Sequence, residues 1–225
     1  MTRRSLLLAL AAPPKIEEDI VYDGDLRLDI LAPAGARSPV ILGIHGGGWS
    51  MGSRRSFHRL MPGFVEAGYA VATMQYRLAP GAKFPAQLED VRKAMAFLRS
   101  NAGRWNLDPG RMVLMGASAG AQIALLAGFS EPGVSAVIDL SGPTDLRDWR
   151  MGGNAEENLK KTTGKSSVNL IEEYLGGPPV GDAAIRAASP PHEVHWFEGR
   201  GHAFAGKGVE EIVPRSVAFL KRHLR

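Results

Sequence analysis

The segment Arg111–Phe129, R-M-V-L-M-G-A-S-A-G-A-Q-I-A-L-L-A-G-F, constrains the fold of this chain more than any other. It joins a short apolar run to a turn of small residues and then to a run rich in helix formers. The turn has the pattern G-x-S-x-G at Gly116, Ser118 and Gly120, which holds a serine on a strained strand-to-helix turn with its hydroxyl facing a pocket. Glycine suits the flanking positions because the surrounding backbone packs too closely for side chains. The segment therefore predicts a nucleophile elbow at Ser118, with an ordinary glycine-rich turn as the alternative.

Apolar periodicity on both sides of this segment predicts alternating strands and helices. The alternation around Asp23 and Gly24 predicts an antiparallel hairpin over Ile16–Ala32, and Asp108–Gly110 is predicted to be a turn before the strand that leads to the serine. The overall order favours an α/β fold, with a mostly parallel sheet and helices on both faces. The other predicted strands are Val40–Ile44, Tyr69–Tyr76, Val134–Leu140 and His192–Phe197, and the predicted helices are Arg54–Ala67, Pro85–Asn101, Ala121–Phe129 and Val209–Leu224.

Length and composition limit the domain organisation and the possible partners. A chain of 225 residues fits one domain, predicted over residues 15–225, with a cap segment over about 142–190 that contains one helix near Val168–Leu175. The formal net charge is +4, but the 27 basic residues are dispersed along the chain, which argues against nucleic-acid binding. The chain has no cysteine, so disulfides and thiolate metal sites are excluded.

Residues 1–14 have a basic start, an apolar stretch and small residues before Pro13. This layout is typical of an export signal, and Thr2–Leu7 resembles a twin-arginine signal. Two alternatives follow: an exported, periplasmic or secreted protein if residues 1–12 act as a signal, and a cytoplasmic protein with a disordered N-terminus if they do not. No apolar run reaches the length of about 18 residues that a membrane span needs.

Five motifs, taken in order, carry a family resemblance that covers nearly the whole chain after Ile16. They are H-G-G-G-W at His45–Trp49, Y-R-L-A-P at Tyr76–Pro80, F-P-A at Phe84–Ala86, G-A-S-A-G at Gly116–Gly120 and G-H-A-F at Gly201–Phe204. With these motifs the sequence resembles the α/β-hydrolase family, and within it the hormone-sensitive-lipase-like and feruloyl-esterase-like carboxylesterases. The kynurenine formamidases share an H-G-G-x-W turn and are a neighbouring possibility.

The resemblance implies a role for the residues of three motifs. Ser118 would be the nucleophile and His202 the base, because a serine hydroxyl is a poor nucleophile until an imidazole takes its proton. The backbone N–H groups of Gly47, Gly48 and Ala119 would form the oxyanion hole. Successive glycines after a buried strand suit this role, since their N–H groups can approach a ligand closely.

The sequence departs from the family at the acid of the catalytic triad. In the related families the A-S-P motif, here Ala188–Pro190, is followed by a strand, a loop that carries the acid, and a helix. This chain passes directly from Pro191 to the segment that contains His202, so one strand–helix unit is predicted to be missing. Asp145, just after the predicted strand Val134–Leu140, is the candidate replacement, and capping a following helix is its alternative role.

The other histidines and the aromatic residues near the motifs are predicted to be structural. His45 is expected to shape the glycine turn rather than transfer protons. No two histidines have the spacing of metal ligands beside a carboxylate, so no metal and no other cofactor is assigned. The structural or solvated histidines are His58, His192, His195 and His223, and the aromatic residues that could line an acyl pocket or belong to the core are Trp49, Trp196 and Phe204.

The sequence leaves functions of two classes open. The leading one is a serine carboxylesterase that hydrolyses a small-molecule ester with a short acyl or aryl-acyl group through an acyl-enzyme on Ser118. The alternative is a non-catalytic or crippled α/β-hydrolase-fold protein that binds a ligand or partner, which the missing acid favours. A kynurenine-formamidase-like amide hydrolase is a further alternative, and no oligomeric state is predicted.

Overall fold

The computed structural model describes residues 13–144, 146, 153–176 and 209–224. Six strands in these residues form one sheet: β1 (Lys15–Asp23), β2 (Leu26–Ala32), β3 (Ser38–Ile44), β4 (Ala70–Met74), β5 (Leu107–Ala117) and β6 (Val134–Leu140). Their order across the sheet is β1-β2-β4-β3-β5-β6. Because β3, β5 and β6 are neighbours that run parallel, their carboxyl ends lie side by side at one edge of the sheet.

The first two strands are the predicted hairpin. β1 pairs antiparallel with β2, and β2 pairs antiparallel with β4, whereas β3 pairs parallel with β4 and β5, and β5 pairs parallel with β6. Every residue of β4 is buried, as expected for a central strand of a sheet covered on both faces. The prediction of a mostly parallel sheet with an antiparallel N-terminal hairpin is confirmed.

Helices cover both faces of the sheet. On one face, α2 (Ala86–Ser100) and α3 (Ala119–Ser130) contribute Val91, Met95 and Ile123 to a core beneath β3 and β5. On the other face, α1 (Met61–Glu66) and α6 (Val209–His223) contribute Phe64 and Leu220 to a second core. Two more helices, α4 (Gly153–Thr163) and α5 (Ser167–Leu175), follow β6.

The predicted helix Arg54–Ala67 is wrong as a single element. The structure has a 3₁₀ turn over Arg54–Phe57, capped by the side chain of Ser53, and α1 begins only at Met61. Pro62 explains the break, because proline lacks the N–H that a continuous helix needs and its ring clashes with the carbonyl four residues earlier. The 3₁₀ turn packs against β2, β3 and β4.

The predicted turn at Asp108–Gly110 is also corrected. Leu107 and Asp108 already pair with β3, and the register then shifts so that Val40 is opposite Met112. The extra residues form an irregularity inside β5 rather than a turn before it. The segment predicted to turn therefore extends the strand that carries Ser118.

Some predictions fall on residues outside the described ranges. These include the strand His192–Phe197, the possible signal in residues 1–12 and much of the predicted cap segment. The predicted helix near Val168–Leu175 is α5, and α4 was not predicted. Among the helices that the structure describes, none is both long and apolar enough to cross a membrane.

Candidate functional site

Ser118 lies at the tip of the turn between β5 and α3, where it is the N-cap residue of the helix. Its backbone has φ 52° and ψ −122°, a conformation with positive φ that non-glycine residues rarely adopt. The turn is fixed on both sides: the Ser118 N–H donates to the carbonyl of Leu140 on β6 at 2.8 Å, and the Ser118 carbonyl accepts the N–H of Ala121 at 2.9 Å. The strained serine is thus held where β5 ends and α3 begins.

The two glycines that flank Ser118 are required by close backbone packing. A Cβ atom at Gly116 would overlap the carbonyl oxygen of Gly120, and a Cβ atom at Gly120 would overlap the carbonyl oxygen of Ile44 on β3. The beginning of α3 therefore sits directly on the ends of β3 and β5. The G-x-S-x-G pattern has the strand–turn–helix setting that the sequence predicted.

The glycine turn, Gly46–Gly48, follows β3 and is held through its carbonyl groups. The Gly46 carbonyl lies 2.8 Å from Nδ1 of His45, and the Gly47 carbonyl accepts the N–H of Met51 at 3.0 Å. In a trans peptide the N–H points opposite to the carbonyl. The N–H of Gly47 therefore points away from the His45 ring, and the N–H of Gly48 points away from Met51.

His45 acts on this turn as a buried, neutral donor. Its side chain has no exposed surface, and its ring stacks on Tyr76 with the ring centroids 4.2 Å apart. Because the Gly46 carbonyl can only accept, Nδ1 carries the ring proton. Burial lowers the pKa of His45 to about 4, against a weaker opposing effect of its bond to Gly46, so the ring is uncharged at neutral pH. This contact supports the predicted turn-shaping role.

A cavity of about 430 Å³ lies beside Ser118 and the glycine turn. Its side-chain walls are mainly apolar and come from both faces of the sheet and from α4 and α5. Arg59 is the one charged residue among the described residues that line it. The apolar walls are formed mainly by Phe57, Leu60, Leu140, Leu159, Leu170 and Ile212.

Helix α5 packs directly on the glycine turn. Leu170 of α5 is so close to the backbone of Gly48 that a Cβ atom at Gly48 would overlap its Cδ1 atom. One turn further along, Tyr174 stacks on Trp49 with ring centroids 4.5 Å apart, and both rings donate to Oε1 of Gln122 on α3. Trp49 is 1% exposed and belongs to the core as well as lining the cavity. The glycine turn is therefore held by the packing of α5 as well as by the hydrogen bonds of its own carbonyl groups.

A buried carboxylate that the sequence analysis missed holds the neighbouring 3₁₀ turn. Asp29 on β2 has a side chain that is 1% exposed, and its Oδ2 lies 2.8 Å from Nε of Arg54 and 2.8 Å from Nε2 of His58. Its Oδ1 accepts the N–H of Asp19 at 2.7 Å. Burial alone would raise the pKa of Asp29, but these partners, Arg54 first, lower it below the ordinary value. His58 thus makes a structural hydrogen bond to Asp29 at the end of the 3₁₀ turn.

The structure brings Ser118, Gly47, Gly48 and Ala119 together at one edge of the sheet, beside the cavity. His202 and Asp145 lie outside the described residues, so their roles stay predictions. The same holds for Trp196 and Phe204.

The chain is similar in sequence to known proteins that are named as hydrolases. It is 38% identical over 101 residues to the esterase LipQ of Mycobacterium tuberculosis. The matched region covers 44% of this chain and 24% of that protein. It is 31% identical over 198 residues to an acetyl-hydrolase of Streptomyces hygroscopicus, which covers 81% of this chain and 60% of that protein. The chain thus spans less than two thirds of the length of these curated relatives.

Solved structures share the fold. A bacterial heroin esterase superposes with a TM-score of 0.72 at 22% identity, covering 95% of this chain and 86% of that one. At this identity the likeness establishes the α/β-hydrolase fold and not a substrate. Residues 28–194 match the family model described as BD-FAE, and the chain therefore belongs to the BD-FAE family of α/β-hydrolase-fold proteins.

Proposed function

We propose that the protein is a serine carboxylesterase that hydrolyses esters with short acyl or aryl-acyl groups, with Ser118 as its nucleophile. The observation that carries this proposal is the strained Ser118, φ 52°, beside a cavity that the glycine turn also lines. A nucleophile and backbone N–H groups beside one cavity are the parts that acyl transfer needs. The printed names of the relatives, an esterase and an acetyl-hydrolase, support the same chemistry.

In the proposed reaction the Oγ atom of Ser118 attacks the ester carbonyl carbon and passes its proton to His202. The N–H groups of Gly47, Gly48 and Ala119 stabilise the negative oxygen of the tetrahedral intermediate. The Gly47 and Gly48 N–H groups would not have to reorient during the reaction. The carbonyl in the same peptide unit as each of them is already held by a hydrogen bond. The alcohol leaves with the proton from His202, and the acyl group stays on Ser118.

Water then completes the cycle. It attacks the acyl carbon, gives a proton to His202, and the second tetrahedral intermediate collapses to release the acid and return the proton to Ser118. Asp145 is the proposed partner that holds the imidazole of His202 in the required tautomer. These steps need no cofactor.

The cavity walls support a small, apolar acyl group. A volume of about 430 Å³, bounded by side chains such as Leu159, Leu170 and Ile212, suits an acetyl, short aliphatic or aryl-acyl group better than a long fatty chain. The apolar surface contributes binding by removing such a group from water.

Hydrolysis of 4-nitrophenyl esters, from acetate to decanoate, tests the proposal. We expect turnover that is highest for short chains and that falls by at least about 10⁴-fold in Ser118→Ala. Ser130→Ala, at the other end of α3, is the matched control and should behave as the wild type. Absence of turnover on the whole series would favour the ligand-binding, non-catalytic alternative, and full turnover by Ser118→Ala would overturn the nucleophile.

A further inference from the structure

The cavity beside Ser118 contains one feature that hydrolysis of a plain ester does not use. Arg59 lines the cavity, and its side chain is exposed, so it lies where the cavity meets solvent. Among the described residues, none forms a hydrogen bond or an ion pair with its guanidinium, and the described lining contains no carboxylate. In the part of the lining that the structure describes, a cation is therefore available at the entrance of a mainly apolar cavity.

The three neighbouring basic side chains each lie close to a carboxylate. Arg54 and His58 hold the buried Asp29, and Arg55 lies 3.9 Å from the carboxylate of Asp19. Arg59 differs from these three both in facing the cavity and in having no acidic partner among the residues that the structure describes.

The backbone of Arg59 is fixed, so its side chain starts from a defined point. The preceding 3₁₀ turn is anchored through Asp29, and two backbone hydrogen bonds span Arg59. Leu60 N–H donates to the carbonyl of Phe57 at 2.9 Å, and Met61 N–H donates to the carbonyl of His58 at 3.2 Å. Phe57 and Leu60 are both buried. An anchored arginine loses less freedom when it binds an anion than one on a mobile loop.

We infer that Arg59 makes this cavity selective for esters that carry a carboxylate, with the guanidinium binding the carboxylate at the mouth while the ester reaches Ser118. This inference rests on the proposed esterase function and adds a substrate class to it. A carboxylate placed deeper would either face mainly apolar side chains and lose its hydration, or occupy the N–H groups that the ester oxygen needs. At the mouth, the planar guanidinium can pair with both carboxylate oxygens.

The carboxylate can belong to the acyl part or to the alcohol part of the ester, and two pairs of substrates distinguish the two. For the acyl part, mono-4-nitrophenyl adipate is compared with its neutral counterpart, 4-nitrophenyl methyl adipate. For the alcohol part, 3-acetoxybenzoate is compared with the neutral 3-acetoxybenzamide. The quantity measured in each pair is the ratio of kcat/KM for the anion to kcat/KM for the neutral ester.

The wild type is expected to favour the anion in one of the two pairs. Arg59→Gln should lower that ratio by about tenfold, as expected for the loss of a charge-assisted contact at a partly exposed site. Arg59→Lys should keep part of the preference, and Arg55→Gln, which removes an exposed arginine outside the cavity, should leave the ratio unchanged. High salt should weaken the wild-type preference, because the contact is screened.

An unchanged ratio in Arg59→Gln for both pairs, or an equal fall in Arg55→Gln, would overturn the inference. The second result would assign the preference to the general positive charge of the protein. Either result leaves the esterase proposal intact as long as the neutral esters are hydrolysed. Failure of the esterase proposal is recognised separately, by the absence of turnover on every member of both pairs. If Arg59→Gln does not fold, the salt dependence of the wild-type ratio and the Arg59→Lys variant decide the question.

Discussion

Leu170 packs against the backbone of Gly48, so that helix α5 rests on the glycine turn with no room for even a methyl group between them. The turn is therefore enclosed by α5 on one side and by the His45 ring on the other, where Nδ1 is 2.8 Å from the Gly46 carbonyl. The proposed oxyanion donors depend on contacts from a helix that follows them by more than a hundred residues in the sequence.

The first prediction concerns this contact. Gly48→Ala should lower kcat for 4-nitrophenyl acetate by up to about 10²-fold, because the new methyl group displaces either Leu170 or the N–H donor. Gly24 has nearly the same φ, 51° against 55°, but nothing lies within 4 Å of its Cβ position, so Gly24→Ala carries the same backbone strain without the clash.

The matched variants separate the two effects. Gly24→Ala should lose about 1 kcal/mol of stability and keep its kcat. Adding Leu170→Ala to Gly48→Ala should restore part of the lost kcat by making room for the methyl group. Equal kcat in Gly48→Ala and Gly24→Ala would show that the contact does not position the turn.

The second prediction concerns the buried Asp29. Asp29→Asn should reduce the free energy of unfolding by about 1–3 kcal/mol, since it removes the charge-assisted contact with Arg54, which keeps only its pair with Asp19. Asp108→Asn is the control, because Asp108 forms a partly exposed pair with Arg111 at 2.7 Å, and its loss should cost less than about 1 kcal/mol. Urea denaturation of both variants measures the difference. A similar small loss in both would mean that the Asp29 cluster contributes little to stability.

The third prediction is a pH dependence that arises from His45. Its pKa is about 4 in the folded protein and 6.5 in the reference state, so below pH 6.5 the unfolded chain binds a proton that the folded chain does not. Stability should therefore fall as the pH drops from about 6.5 to 4 and stop falling from this cause below 4. The total contribution is about 3 kcal/mol, at about 1.4 kcal/mol per pH unit.

His45→Asn isolates this contribution. An asparagine amide can replace Nδ1 as the donor to Gly46 but does not titrate. The variant should be less stable at pH 7, because it loses the stack on Tyr76, and its stability should decline less between pH 6.5 and 4. If urea denaturation showed the same fall in stability for the wild type and His45→Asn across that pH range, the pH dependence would not arise from His45.

Elements with a strong apolar pattern could be predicted from the sequence, and β6 was predicted with the bounds that the structure has, Val134–Leu140. β6 ends the described strand order and only its Ile138 is buried, but Val137 packs against one core and Leu140 against the other, so the apolar pattern and the packing share one cause.

The helix α4 was not predicted, because its sequence, GNAEENLKKTT, contains only two apolar side chains, Ala155 and Leu159. It is instead supported by polar contacts, such as Glu156 Oε1 accepting the N–H of Ser167 at 3.1 Å.

The site was predictable to a similar degree. The position of Ser118 and of the glycine turn followed from local motifs, since each motif encodes its own turn. The pairing of Asp29 with Arg54 and the packing of Leu170 on Gly48 join residues far apart in the chain, and no local pattern records such contacts. For the same reason Arg59 could not be assigned to the cavity from the sequence, although it follows a predicted motif by only ten residues.

Covalent labelling of the serine tests the central claim, that Ser118 is the residue that is acylated. The protein is treated with a fluorophosphonate, which reacts with activated serines, and the adduct is located by peptide mass spectrometry. We predict one adduct per chain on Ser118, none in Ser118→Ala, and loss of 4-nitrophenyl acetate hydrolysis in step with labelling. An adduct on another serine, or turnover that survives full labelling of Ser118, would contradict the account.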